Sequence, residues 1–323
     1  MLNKIFPILS QYISKGDAVI LGVSGGPDST ALLNAFVHLA HGVYPPEPWR
    51  RRAHSAHFRI IVAHINHGIR GKASDCDEKF VRNLAKSYGL SCFVKRVRLA
   101  GKSGVEELGR KVRRAFFEKL RFTFRAKWII TAHTQDDQLE TIVFNFLRGS
   151  GPAGLAGMKI VEGAYFKPLL GVSKAEILEY LASKKLKFRK DRMNEDTRFS
   201  RVFIRKKILP LFHKINPSFS KTALRNAEIF LRVDEWLSVE AGRFLGAQNA
   251  FRARDFRNLP AALQTSVLQL VYRRALKNPY RLSSVKISEI LRMIGRNIGK
   301  KKILLGKKGN FYLDKGLVTV RPD

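Results

Sequence analysis

The sequence predicts an α/β protein: a parallel sheet flanked by helices over residues 1–216, then a smaller, mainly helical basic domain over 217–323. Three observations predict it. Short β-rich apolar runs alternate with helix-length amphipathic segments through the first half. The alternation weakens near Gly149, and Asn216-Pro217-Ser218 reads as a turn. Beyond that turn the apolar spacing is helical and basic residues abound.

Taken in order, the first residues hold an apolar stretch broken by Gln11 and Lys15, an amphipathic helix rather than a leader peptide. Ala18–Val23 is a buried-strand run, followed by a Gly-rich turn and a helix over Ser29–Leu39. Gly42–Phe58, with its prolines and Arg50-Arg51-Arg52, reads as an exposed loop. Arg59–Ile65, Ser91–Val97 and Lys127–Ala132 are further strands, separated by helices over Ser74–Tyr88, with Ser74 as cap, and Val105–Leu120. Helices are expected over Gln135–Leu147, Ser173–Lys184, Arg205–His213, Phe219–Phe244 and Ala261–Leu276. The tail from Lys300 carries short strand patterns.

Composition narrows the partners. The chain has 60 Lys and Arg against 26 Asp and Glu, a formal charge of +34, spread along its length. Such a field repels itself unless a polyanion is the normal partner, and nucleic acid fits best. At 45% hydrophobic residues the chain can bury a substantial core. Cys76 and Cys92 form no CxxC pair and no metal-ligand spacing, which excludes a disulfide framework and fits a reducing, cytoplasmic compartment. No window approaches the roughly 18 to 20 apolar residues that span a bilayer, so no membrane role is expected.

Four segments carry chemistry. Ser24-Gly25-Gly26-Pro27-Asp28-Ser29 follows a strand and opens a helix, where small residues let backbone N–H groups close around phosphate oxygens. Asp28 adds negative charge to an anion cradle, which makes sense if it holds a Mg²⁺ that neutralises pyrophosphate. The plainer alternative is a tight turn with Asp28 or Ser29 as a cap. His64 and His67 end the second strand with no third metal ligand nearby, so a hydrogen-bonding or stacking loop is favoured over a metal site. Arg110 and Arg113 share a helix face, as a phosphate grip or as ordinary surface charge. Finally, His133 ends a strand beside Asp136, Asp137 and Glu140 at a helix start. Acids there satisfy the helix dipole, but their cluster in so basic a chain also suits a cation, whether Mg²⁺ or an amine.

The string SGGPDS resembles the SGGxDS loop of the ATP-pyrophosphatase (PP-loop) family. HINHGIRG with Ser74-Asp75 and Asp77-Glu78, the segment from Gly104 to Arg114, and AHTQDDQLET resemble ordered motifs of the tRNA(Ile)-lysidine synthetases within it. Gly154 to Gly157, Lys167-Pro168, Asp191 to Asn194 and Arg201 to Arg205 are similar to later motifs of that family. Lys167 stands where the family usually has Arg, Met193 where it has Ser, and Val202 where it has Asn. The resemblance covers roughly residues 18 to 217.

That resemblance implies an adenine-nucleotide alpha hydrolase-like fold using ATP and Mg²⁺. It implies a ligase that adenylates the wobble cytidine of the isoleucine tRNA with a CAU anticodon, then joins L-lysine to it. Codon reading would change from AUG to AUA. Carried onto this sequence, Ser24, Gly25, Gly26, Pro27, Asp28, Ser29 and His64 would bind nucleotide, and Asp28 and Asp136 the metal. Asp28, Arg113, His133 and Asp137 would be catalytic, Asp137 and Glu140 would receive lysine, and Arg201 and Arg205 would contact tRNA. A homodimer is compatible with this reading. A sulfur-transferring relative would need paired cysteines, and a small-metabolite ligase would have no use for the charge. A non-catalytic RNA-binding module is disfavoured by the intact Ser24, Asp28, Ser29, His133 and Asp137.

Overall fold

The computed structural model describes residues 1–40, 57–68, 71–97, 105–189, 200–276, 281–296, 301–305 and 309–322. Most of the Gly42–Phe58 loop with Arg50 to Arg52, Arg70, Gly104 and Asp191 to Asn194 lie outside the described residues. The chain divides into two compact units, residues 1–150 with 157–225, and 151–156 with 226–323.

The first unit is built on β1 (Ala18–Gly22), β2 (Arg59–Asn66), β3 (Ser91–Arg96) and β4 (Trp128–Ile130), all parallel where they pair. A hairpin of β5 (Val161–Glu162) and β6 (Tyr165–Phe166) extends the sheet beyond β4, giving the order β3-β2-β1-β4-β6-β5. That two-residue hairpin has no periodicity of its own and is absent from the sequence reading. Helices α1 (Leu2–Tyr12), α2 (Pro27–Ala40), α3 (Lys72–Ser87), α4 (Val105–Thr123), α5 (Gln135–Leu147) and α7 (Lys174–Ser183) accompany it; the single turn α6 (Pro152–Leu155), between α5 and α7 in sequence, groups with the second unit.

Burial explains the patterns. Val19, Ile20 and Leu21 are fully buried on both faces, as the uninterrupted apolar run of a central parallel strand requires. Helix α2 sits inside the core, with Leu32, Leu33 and Phe36 at 0% exposure; truncating any of them to Ala should cost about 2–5 kcal/mol. Helix α3 is amphipathic, burying Ser74, Asp77, Glu78, Val81 and Ala85 along one face. Its N-cap is Gly71, so Ser74 lies inside the helix and does not cap it. Gly22 is required sterically, because a Cβ there would lie 2.9 Å from the Phe117 ring of α4.

Past α7 and the short α8 (Ser200–Phe203), the expected helix over Arg205–His213 is two pieces: a π-helical turn over Ile204–Ile208, and α9 (Leu209–Ile215) with Pro210 in its first turn. Pro210 is accommodated because early helical positions need no N–H partner. Asn216–Pro217 is a turn into α10 (Phe219–Leu245), whose first turns still belong to the first unit, with Phe219, Ala223 and Leu224 in a cluster with Leu139 and Val143 of α5.

The second unit contains the rest of α10, then β7 (Ala250–Arg252), α11 (Ala253–Arg257), α12 (Ala261–Ala275) and α13 (Ser284–Arg296). Strands β8 (Lys301–Leu304), β9 (Asn310–Asp314) and β10 (Leu317–Arg321) join β7 in an antiparallel sheet ordered β7-β10-β9-β8. Alternation puts Phe311, Leu313, Val318 and Val320 inward, in one core with Phe256, Val267, Val271 and Ile290. Among the described residues, no helix is long and apolar enough to cross a membrane.

Candidate active site

The carboxyl ends of β1, β2 and β4 open onto one cavity of about 480 Å³. Open α/β sheets place ligands there because the loops leaving adjacent strands diverge. One wall is the turn after β1, with Ser24, Asp28 and Ser29; α4 supplies Arg110, Arg113, Arg114 and Phe117. Thr131, Ala132 and His133 follow β4, and Glu162, Tyr165 and Lys167 come from the small hairpin and the residue after it. His67, rather than His64, lines the β2 side.

The Ser24–Ser29 turn is held by its own atoms. Ser29 Oγ accepts from the Ser24 N–H at 3.1 Å and donates to the Gly26 carbonyl at 3.1 Å, while Ser24 Oγ lies 3.1 Å from Ser29 Oγ. The Gly26 N–H donates to Ser24 Oγ at 3.3 Å. Gly25 has φ +88°, and a Cβ there would also crowd Phe80 and Val81 at 3.3 Å. The Gly25 carbonyl accepts from the Arg189 N–H at 2.9 Å, and Arg189 Nε donates to Asp77 at 2.9 Å, tying the turn to α3. The loop is thus a fixed ring with its helix start aimed at the cavity, the geometry that receives anions.

Asp28 takes Lys174 Nζ at 2.5 Å, and Asp136 Oδ2 accepts from the Lys174 backbone N–H at 2.8 Å. Burial pushes the Asp28 carboxyl up, Lys174 pulls it down, and Asp137 and Asp136 raise it further. Among the described residues, no group of three or more His, Cys, Asp or Glu is arranged to hold a metal. A magnesium ion that travels with phosphates needs only one or two protein carboxylates. Asp28 and Asp136, converging on one lysine with a third acid nearby, fit that requirement.

Asp137 closes a capping box: its Oδ2 accepts from the Thr134 N–H at 2.8 Å and from the Thr134 hydroxyl at 3.1 Å. Glu140, further along α5, is buried, and burial pushes its carboxyl up to about 7 against the pull of Arg205. His133 Nδ1 lies 2.9 Å from Thr131 Oγ1, and burial lowers the ring to about 4, with Asp137 opposing and Arg113 reinforcing. It is therefore neutral at pH 7.

Several residues singled out in the sequence have partners within the protein. His64 is buried with Nδ1 2.8 Å from the Val23 carbonyl, so it supports the strand end beneath the loop instead of lining the cavity. Its burial lowers the ring pKa, and its Nε2 has no hydrogen-bond partner. Asn66 bridges Asp75 at 2.9 Å and Glu78 at 3.1 Å, and Glu78 also pairs with Arg82 and Arg96. Hydrogen bonds from Arg96 first, and from Asn66 and Arg82, hold Glu78 at about 2 despite its burial. The acids after HINHGIRG are thus a structural network. Arg201 and Arg205 are directed at α5: Arg201 reaches Thr141 Oγ1 at 3.5 Å and Arg205 lies 3.5 Å from Glu140. Val202 is buried, so an apolar side chain suits its position.

Three further basic residues lie at the loop or the cavity. Nothing in the local sequence marks Lys174 or Arg189 as a partner of the loop or of α3. Lys167 was noted only as a departure from Arg; it is 6% exposed, lines the cavity, and donates to the Lys159 carbonyl at 3.1 Å and Glu162 at 3.2 Å. The side-chain partners of Lys174 and Arg189 lie 146 and 112 residues away in sequence, too far for spacing to reveal them.

A family model described as a PP-loop domain matches residues 2–212. The chain is 36% identical over 247 residues to the tRNA(Ile)-lysidine synthase of Chlorobaculum tepidum, covering 73% of this chain and 70% of that protein. It is 32% identical to the same-named protein of Geobacillus kaustophilus, covering 99% of this chain and 69% of that one. Against the Thermosipho africanus protein identity is 35%, and the match spans 57% of its length. The U34-tRNA thiolase NcsA from Methanococcus maripaludis, solved with its [4Fe-4S] cluster, matches in fold with a TM-score of 0.55 at 17% identity, over 72% of this chain and 77% of that one. A PP-loop match over most of the length, joined to relatives of one name that this chain largely covers, means that the chain belongs to the tRNA(Ile)-lysidine synthase family of ATP-using PP-loop proteins.

Proposed function

We propose that this chain ligates L-lysine to the wobble cytidine of the isoleucine tRNA bearing a CAU anticodon, through an adenylated base. The observation that carries the proposal is the cavity itself, with a closed Ser24–Ser29 anion cradle on one wall and Arg110, Arg113 and Arg114 on another. A cytidine in a single-stranded anticodon loop can be splayed into such a pocket.

In the first step the cytosine O2 attacks the α-phosphorus of ATP, an oxygen–phosphorus bond forms, and the bond to pyrophosphate breaks. The cradle N–H groups and the Ser24 and Ser29 hydroxyls hold phosphate oxygens, and Arg113 offsets the charge that accumulates on them. Neutral His133, steadied by Thr131, offers a hydrogen bond without adding a charge. Asp28 and Asp136 would hold Mg²⁺, which when bound neutralises pyrophosphate charge.

In the second step the lysine ε-nitrogen attacks C2, the C2–O bond breaks, and AMP leaves. The amine must shed a proton first. Asp137 and Glu140 attract the ammonium, and an acidic residue or water accepts the proton. The second unit, with its share of the +34 charge, grips the tRNA body. Incubation with ATP, labelled lysine and the purified tRNA tests the proposal. Label should enter the tRNA only when ATP is present; folded protein and intact tRNA giving no incorporation would end it.

A further inference from the structure

We propose that Lys174 is the resident counter-cation of the loop, an ammonium that holds the Asp28 carboxylate until a divalent cation arrives with nucleotide and replaces it. The inference rests on the reading of the Ser24–Ser29 loop as a Mg–ATP site. Lys174 engages both acids assigned to the metal at once: Nζ lies 2.5 Å from Asp28 Oδ1, and its backbone N–H donates to Asp136 Oδ2 at 2.8 Å. The two acids come from different elements, α2 and α5, and meet only at the start of α7.

The start of α7 is anchored by its own contacts, while the Lys174 side chain is partly exposed. Ser173 and Glu176 form a capping box, and Glu176 also pairs with Lys4 at 2.8 Å, anchoring the helix end to α1. The Lys174 side chain is 40% exposed, so it can swing away without disturbing the core. After Lys174, the charges that act most strongly on Asp28 are those of Asp137 and Asp136, while Arg110, Arg113, Arg114 and Lys167 line the same cavity. Carboxylates gathered at one point repel one another, and a cation between them offsets that repulsion. A strongly hydrated ammonium in a partly exposed pair is weakly held. A doubly charged ion bearing phosphates would displace it and leave the amine, tethered beside the cradle, available to the pyrophosphate.

Manganese(II) is the probe, read by electron paramagnetic resonance at pH 8 on the full chain, with and without ATP. Wild type, Lys174→Met, Lys174→Arg and Asp28→Asn are compared, with thermal melts as the check on folding. Without nucleotide, Lys174→Met should bind Mn²⁺ about three- to tenfold more tightly than wild type, because no ammonium competes. With ATP present the same variant should bind nucleotide more weakly, and Lys174→Arg should restore both properties toward wild type. Equal nucleotide-free Mn²⁺ affinity in Lys174→Met and wild type, with binding lost in Asp28→Asn, overturns the role of Lys174 alone. Unchanged Mn²⁺ and ATP binding in Asp28→Asn would instead overturn the reading of the loop.

Discussion

Arg205 places its Nε 3.5 Å from Oε1 of Glu140, a carboxylate only 3% exposed on the inner side of α5. That oxygen has no hydrogen-bond partner, so the contact is electrostatic and leaves the acid poorly satisfied. Burial therefore wins over attraction, and Glu140 is pushed up to about 7.

A pH-dependent stability follows. The folded state prefers the protonated acid, so Glu140 costs nothing below its unfolded pKa of 4.5, and stability falls as pH rises from there through about 7. Glu140→Gln should melt close to wild type at the acid end of this window. Above it, the variant should be more stable by something on the order of 2–3 kcal/mol. Thermal melts of both proteins across the window measure the difference; equal melting temperatures at all pH values would mean that Glu140 is ionised and well satisfied.

For Arg205→Met the sign is opposite on activity. Loss of the guanidinium removes the second-largest influence on Glu140 and raises its pKa further, so more of it is protonated at pH 7. The KM for lysine should rise by about tenfold or more, and a shift of the activity profile toward alkaline pH should accompany it. An unchanged profile would separate Arg205 from the lysine step.

His133 should not titrate near neutrality. With its folded pKa lowered to about 4, its contribution to stability is present above 6.5 and is lost as pH falls toward 4. Its ring resonances in NMR should stay flat from about pH 6 to 8. A midpoint inside that range would make it a charged group, and its assignment as a neutral hydrogen-bond partner would fall.

Adjacent glycines should behave differently. Gly25→Ala forces a side chain into φ +88° and against Phe80 and Val81, a cost on the order of 1–2 kcal/mol from the backbone alone. It should destabilise the fold and lose ATP binding together. At Gly26 a Cβ would meet only Ser24 Oγ at 3.4 Å, so Gly26→Ala should fold normally. Melting curves and nucleotide titrations of both distinguish a steric from a ligand-facing role.

The sheet, its flanking helices and the cradle were legible because each is a local pattern: Val19 to Leu21 buried on both faces, small residues in one turn, acids at one helix start. Long-range pairings were not. Lys174 meets Asp28 across 146 residues and Arg189 meets Asp77 across 112, and no periodicity records either. That His64 ends a strand near the loop is plain in the sequence, whereas its burial and its contact with the Val23 carbonyl are not. The helical spacing of Arg201 and Arg205 is legible, but not their approach to Thr141 and Glu140 of α5 beside the π-helical turn over Ile204–Ile208. The turn at Asn216 was also clear, but the apolar start of α10 packs with α5, so a truncation there would strip Phe219, Ala223 and Leu224 from a core cluster.

The most direct measurement is tRNA-dependent release of pyrophosphate from ATP by the wild-type chain and by Asp28→Ala, with Asp28→Asn alongside to preserve shape. The account predicts release that requires the CAU-anticodon isoleucine tRNA and falls by about a hundredfold or more in both variants. Undiminished release in the variants, from folded protein, would contradict it.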